Sequence, residues 1–185
     1  MKHVGRRTGG RRQRDRRSEP KEFEQKVVDL ARVTRVMAGG KRMRFRACVA
    51  IGDGKGRVGI GITKGVDVTM AINKAVNQAK KRLVRIPMKN ETIPHVIRVK
   101  YGGAQILLKP APKGTGVIAG GPVRIVLELG GVQNVVGKML GSQNKINNVY
   151  AVMEALRSLR LPADVRKLRG VRSGSNRAPT PTGQE

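Results

Sequence analysis

The hydrophobic positions of this chain change period as it proceeds. Phe45, Ala47, Val49 and Ile51 alternate with Arg44, Arg46, Cys48 and Ala50, as a strand with one covered face would. Before them Lys26 to Met37 carries Val27, Val28, Leu30, Val33 and Val36 and reads as a preceding strand, with Gly39-Gly40 as the turn. The run from Gly52 to Gly56 reads as a second turn. Val58, Ile60 and Ile62 then alternate with Gly59, Gly61 and Thr63 in a third strand. Short glycine turns between three such strands predict an antiparallel meander. The period next becomes helical: Val68, Ile72, Ala75, Val76, Ala79 and Leu83 fall on one face, with Asp67 as N-cap. Lys80, Lys81 and Arg82 sit in the last turns, where cations suit the helix dipole, and Pro87 ends the unit. The expectation is a β-β-β-α unit over residues 25–90. A core of that size is marginal alone, so the unit is expected to lean on the second half of the chain.

Residues 91–161 read as a second, α/β unit. Val96, Ile97 and Val99 predict a strand, Tyr101-Gly102-Gly103 a turn, and Ile106 to Lys109 a second strand halted by Pro110 and Pro112. Lys113 to Gly121 reads as a long glycine-rich loop. Pro122 to Leu129 is β-branched, as a strand would be. Pro at its start and Gly130-Gly131 after its end favour a helix, and helix is the reading taken. Asn134 to Leu140 reads as a strand. Ile146, Val149, Met153, Leu156 and Leu159 give an amphipathic helix, capped by Asn144 or Asn147. Two basic tails flank these units, residues 1–24 and 162–185, and no internal repeat is visible. In the first tail Arg6, Arg7, Arg11, Arg12, Arg14, Arg16 and Arg17 stand among almost no apolar residues, so the tail is expected to order only on a polyanion.

Charge narrows the function. Among 185 residues, 39 Lys and Arg face 12 Asp and Glu, a formal net charge of +27. Self-repulsion at that charge opposes compaction, and a nucleic acid relieves it. Aromatic residues are only 2%, with no Trp, which argues against rows of rings stacking on bases. The single cysteine, Cys48, excludes an intramolecular disulfide and a cysteine zinc site, and fits a reducing compartment. Two histidines, His3 and His95, do not make a metal cluster, so no metal or cofactor is expected. No apolar run approaches the roughly 20 residues that cross a bilayer, so no membrane partner is expected.

Gly54 to Gly59 matches GxGxxG in letter, but a strand follows it where dinucleotide binding needs a helix. No Gly-rich loop closes with the Walker GK[ST], and no catalytic constellation emerges. The cations are more informative. Arg32, Arg35, Lys41, Arg42, Arg44 and Arg46 flank the first hairpin tip, where Gly39 and Gly40 allow close approach of backbone to phosphate. Lys55, Arg57 and Lys64 lie on the next turn and strand end, and Lys113, Arg124, Lys138 and Lys145 beside the second unit's glycine-rich stretches. A solvated charged face is the plain alternative. Cations gathered at glycine loops on both units point to irregular RNA gripped by shape and backbone, since a major-groove reader concentrates them on one helix.

Three motifs then resemble the S-five family of small-subunit ribosomal proteins. They are Gly39 to Phe45 (GGKRMRF) continued by Val49 to Gly61 (VAIGDGKGRVGIG), Lys109 to Gly121 (KPAPKGTGVIAGG) followed by Arg124 and Leu127-Glu128, and Gly141 to Asn147 (GSQNKIN). The resemblance spans about residues 25–160. One departure is Lys145, where bacterial relatives usually carry Pro. The resemblance implies an α+β protein: a double-stranded-RNA-binding-like β-β-β-α domain, then a two-layer α/β domain with a left-handed β-α-β crossover. It implies no enzyme, and a place in the cytoplasmic small ribosomal subunit, near the decoding region and the path by which mRNA enters. Its partners would be small-subunit rRNA and neighbours of the S-four and S-eight families. Thr34, Gly114, Thr115, Gly116, Ser142 and Asn144 join the rRNA-contacting set through these motifs. Thr34, Arg35 and Val36 match the family's spectinomycin-response positions in the first hairpin loop, and Arg124 lies in the region facing a neighbouring protein. The rival expectations are a free double-stranded-RNA-binding or RNA-chaperone protein and, from fold kinship alone, a phosphoryl-transfer enzyme.

Overall fold

The computed structural model describes residues 22–170; the arginines of the N-terminal tail and residues 171–185 lie outside the described residues. The first unit is a meander of β1 (Glu24–Met37), β2 (Gly40–Gly52) and β3 (Arg57–Gly65), followed by helix α1 (Val68–Lys80) and a short strand β4 (Leu83–Arg85). All neighbours are antiparallel, in the order β1-β2-β3-β4. The second unit is β5 (Ile97–Tyr101), β6 (Ala104–Pro110), β7 (Val117–Ile118), α2 (Gly121–Leu129), β8 (Val135–Gly141) and α3 (Lys145–Ser158), then α4 (Pro162–Leu168). Its sheet runs β5-β6-β8-β7, with β7 parallel to β8, so β7-α2-β8 is a β-α-β crossover.

The meander and α1 form as expected, and Asp67 caps α1 by accepting from the Val68 amide at 2.8 Å. Helix α1 lies unusually close to the sheet. Ala71, Ala75 and Ala79 face it, and β3 meets them with glycines. A Cβ on Gly59 would stand 2.6 Å from the Ala79 carbonyl oxygen, and one on Gly61 would overlap that of Ala75. The GxGxxG spelling thus ends in a packing glycine, not a phosphate cradle.

Four expectations are corrected. Leu83 is not on α1: the helix ends at the Lys81 cap, and Leu83 pairs with Gly59 in β4. Strand β2 is covered on both faces, not one. Ala47, Val49 and Ile51 pack toward α1, whereas Cys48 and Ala50 join Val58, Ile60 and the second unit's Leu127, Val152 and Leu156 in the larger core. The glycine-rich loop contains β7, and the first residues after Leu161 form α4 instead of tail. The first sheet is therefore a wall shared by α1 on one side and the second unit on the other, and the small first unit does lean on its successor.

Candidate nucleic-acid interface

Strand β3 stops pairing at Gly65, opposite Phe45, while β1 and β2 run on together as a two-stranded ribbon. The ribbon pairs Val33 with Arg44, Thr34 with Met43, Arg35 with Arg42, Val36 with Lys41 and Met37 with Gly40. Its turn is Ala38-Gly39, and Gly39 takes φ 86°, a left-handed conformation that glycine adopts without strain. Thr34, Arg35 and Val36 belong to this paired ladder rather than to the loop itself.

Residues opposite one another share a face, as do alternate residues along a strand. One ribbon face therefore carries Val33, Arg35, Met37, Arg42 and Arg44, and Lys64 joins them because it pairs with Arg46. Together with Thr34 they line a hollow of about 290 Å³. No Asp or Glu occurs between Ala31 and Gly52. Arg35 and Arg42 stand directly opposite each other, an arrangement that costs stability without an anion. The nearest carboxylate on that face, Asp29, is occupied: Arg46 donates to it at 3.3 Å and Lys145 at 3.2 Å. Arg32 and Lys41 point to the opposite face, beside Phe45 and Val36. The predicted hairpin cations thus divide into two sets.

In the second predicted cluster the fold engages one cation side chain, that of Arg57. Asp53 Oδ1 accepts from the Lys55 amide at 2.8 Å and the Arg57 amide at 2.9 Å, and Arg57 Nε donates to Oδ2 at 2.6 Å. Burial opposes ionisation of Asp53, but these bonds, led by the Arg57 side chain, outweigh it and hold the carboxyl down at about 2. The Arg57 guanidinium also lies 5.5 Å above the Phe23 ring. The loop docks on the end of α2 through Gly54 N to Leu129 O and Gly56 N to Gly130 O, both 3.0 Å. Lys55 remains exposed.

In the 113–116 loop the amides of Gly114 and Gly116 both donate to Asn134 Oδ1, at 3.0 and 3.2 Å. Thr115 Oγ1 donates to the Pro112 carbonyl at 2.9 Å. Only Lys113 offers a free side-chain donor there, and it is exposed. Asn134 is 4% exposed and was missed by sequence reasoning; a lone Asn before a run of β-branched residues was its only signal. Asn144, rather than Asn147, caps α3 by accepting from the Ile146 amide at 3.1 Å, and its own amide donates to Ser142 Oγ at 3.2 Å. The helix starts normally at Lys145. Arg124 is exposed on α2 and donates to Glu128 at 2.7 Å; Glu128 also accepts from Lys26 at 3.2 Å, tying the two units together. Those bonds, the Arg124 one first, lower the Glu128 carboxyl. Cys48 is buried, which with the Asp29 carboxylate pushes its thiol up to about 11, against a smaller opposing effect of Arg46.

Two of the predicted groups come together. The Lys145–Asp29 ion pair sets the Ser142–Lys145 segment beside the ribbon base. The 113–116 loop does not join them: it follows Pro110, at the end of the second sheet opposite Gly141.

The sequence profile described as ribosomal protein S5, N-terminal domain, matches residues 23–87, and that of the S5 C-terminal domain matches 99–169. The chain belongs to the ribosomal protein S5 family. "Small ribosomal subunit protein uS5" of Thermus thermophilus is 51% identical over 148 residues, which cover 80% of this chain and 91% of that protein. The same-named proteins of two strains of that species match to the same extent. Members of the S5 family are structural components without enzymatic activity. The phosphoryl-transfer reading is set aside on that ground. No helix among the described residues is long and apolar enough to cross a membrane.

Proposed function

We propose that this chain is a structural constituent of the small ribosomal subunit that binds rRNA, supports subunit assembly and tunes translational accuracy near the decoding region and the path by which mRNA enters. The observation that carries RNA binding is the ribbon face: Arg35, Arg42, Arg44 and Lys64 around one hollow, with a like-charge pair built into the ladder. Phosphates supply the missing countercharge, and irregular RNA supplies a surface that fits a protruding ribbon. Arg32, Lys41, Lys55 and Lys113 add exposed phosphate contacts around it, and Ser142 and Asn144 edge the ribbon base. Arg124 faces a neighbour of the S-four family, and an S-eight neighbour lies alongside. The protein works in the cytoplasm.

The test is sedimentation of a lysate followed by crosslinking. The chain should travel with the small subunit and crosslink to rRNA from the ribbon. A chain found mostly away from the subunit would instead favour a free double-stranded-RNA-binding or chaperone protein, which the first unit's β-β-β-α order and the net charge also fit. Substitutions at Thr34, Arg35 and Val36 should change the response to spectinomycin. Unchanged response across several of them would remove that part of the reading.

A further inference from the structure

Both tyrosines of the chain come together where the two units meet. Tyr101 ends β5 and Tyr150 lies on α3; their rings stack with centroids 5.1 Å apart and planes 29° from parallel. They line a hollow of about 160 Å³. One stripe of α3 adds Met153, Glu154 and Arg157 to it, and the first unit adds Ile60 and Arg82. Ile60 and Met153 are buried and give the hollow an apolar floor, whereas Arg82, Glu154 and Arg157 are exposed at its rim.

Each part points to one kind of ligand. Tyr101 stays 43% exposed despite the stacking, so the pair leaves ring surface that a flat heterocycle would cover together with the floor. A hollow of this size takes a single splayed-out base and no duplex. Arg82 belongs to none of the ion pairs among the described residues and stands ready for a phosphate. Glu154 selects the base. Arg157 Nη1 lies 3.7 Å from its Oε2, too far for a hydrogen bond, which leaves both carboxylate oxygens open. A carboxylate only accepts. Guanine alone among the four bases offers it two adjacent donors, N1–H and N2–H. Adenine and cytosine set an acceptor beside their amino group, and uracil flanks its one N–H with carbonyls. In a duplex cytosine takes the guanine donors, so the guanine must be unpaired.

We propose that the hollow between α3 and β3 holds one unpaired guanine of RNA. Its ring lies against the tyrosines over Ile60 and Met153, its N1–H and N2–H donate to Glu154, and its phosphate sits beside Arg82. The inference rests on the chain binding rRNA, and adds recognition of a base to a surface otherwise read as gripping phosphates. Because Ile60 and Arg82 come from the first unit and the remaining lining from the second, the base also bridges the two.

The test treats small subunits containing the full chain with kethoxal, which adds to N1 and N2 of unpaired guanines. One guanine should be protected by the unmodified chain and become about fivefold or more reactive with Tyr101→Leu, the lower end of what one lost base–aromatic stack does to an equilibrium. Glu154→Ala should expose the same guanine. Tyr101→Phe keeps the ring and should not, nor should Arg42→Gln on the ribbon. Should Tyr101→Leu fail to enter subunits, Glu154→Ala carries the test, since its side chain is half-exposed and its loss leaves both cores intact. The inference is overturned if no guanine responds in subunits that hold the variants at normal occupancy, or if Tyr101→Phe exposes it equally. Absence of the unmodified chain from small subunits would strike the proposed function instead.

Discussion

The ribbon face permits a quantitative test, because among the described residues its cations share one hollow and, unlike Arg57, have no carboxylate partner. Arg35, Arg42, Arg44 and Lys64 line one hollow and form no ion pair among the described residues, whereas Arg57 is held by Asp53 at 2.6 Å. Each phosphate neutralised on a duplex contributes a slope of about −0.9 to log K against log salt. Replacing all four by Gln should flatten the slope by about 3.6. Between 50 and 200 mM salt that slope corresponds to roughly a 150-fold change in affinity, which the quadruple variant should lose. Arg57→Gln should change the slope by less than about 0.5, since its guanidinium is already compensated. The assay is binding of the full chain to an rRNA fragment over a salt series, with circular dichroism to confirm that each variant is folded. Equal slopes for the quadruple variant and the unmodified chain, or a larger loss for Arg57→Gln, would refute the assignment of the ribbon face as the RNA grip.

Three further outcomes rest on the packing and the charges. Gly61→Ala should cost about 3 kcal/mol and lower Tm by roughly 6–12 °C in a thermal melt, because its methyl group meets the Ala75 carbonyl and α1 must move off the sheet. Gly39→Val meets no protein atom, so the cost to stability should stay near the ~1–2 kcal/mol of left-handed strain, while docking to rRNA weakens in the same binding assay. Asp53 titrates at about 2 in the folded chain against an ordinary 3.8, so its contribution is complete above pH 4 and is lost as the pH falls toward 2. Denaturant melts from pH 5 to pH 2 should show that loss, about 1–2 kcal/mol, in the unmodified chain and not in Asp53→Asn.

Long periodic segments were legible in the sequence: the meander, α1 with its Asp67 cap, and α3 all stand where alternation or helical spacing put them. Leu83 misled because it comes four residues after Ala79, which fits a helix as well as it fits a new strand, and no Gly or Pro marks the break. Cys48 and Ala50 concealed the second covered face of β2, since small side chains do not declare whether they face solvent or a neighbouring core. Strand β7, with two residues, carries no period at all. On the interface, the sequence exposed where the cations lie but not which are spent. Arg57 and Arg44 look alike in the chain, and only the fold shows Asp53 holding one while the other lines an open hollow.

The shared wall has a kinetic consequence. When the first ninety or so residues have left the translating ribosome, the meander and α1 can close over Ala47, Val49 and Ile51, but Val28, Cys48, Ala50, Val58 and Ile60 still have nothing to cover them. Their cover is the α2–α3 layer, which ends at Ser158. At roughly 5–20 residues per second, a nascent chain carries that naked apolar surface for about 3–14 seconds. The first unit therefore waits half-finished for its own C-terminal part. That interval is when this chain is most open to capture by a chaperone or by another copy of itself.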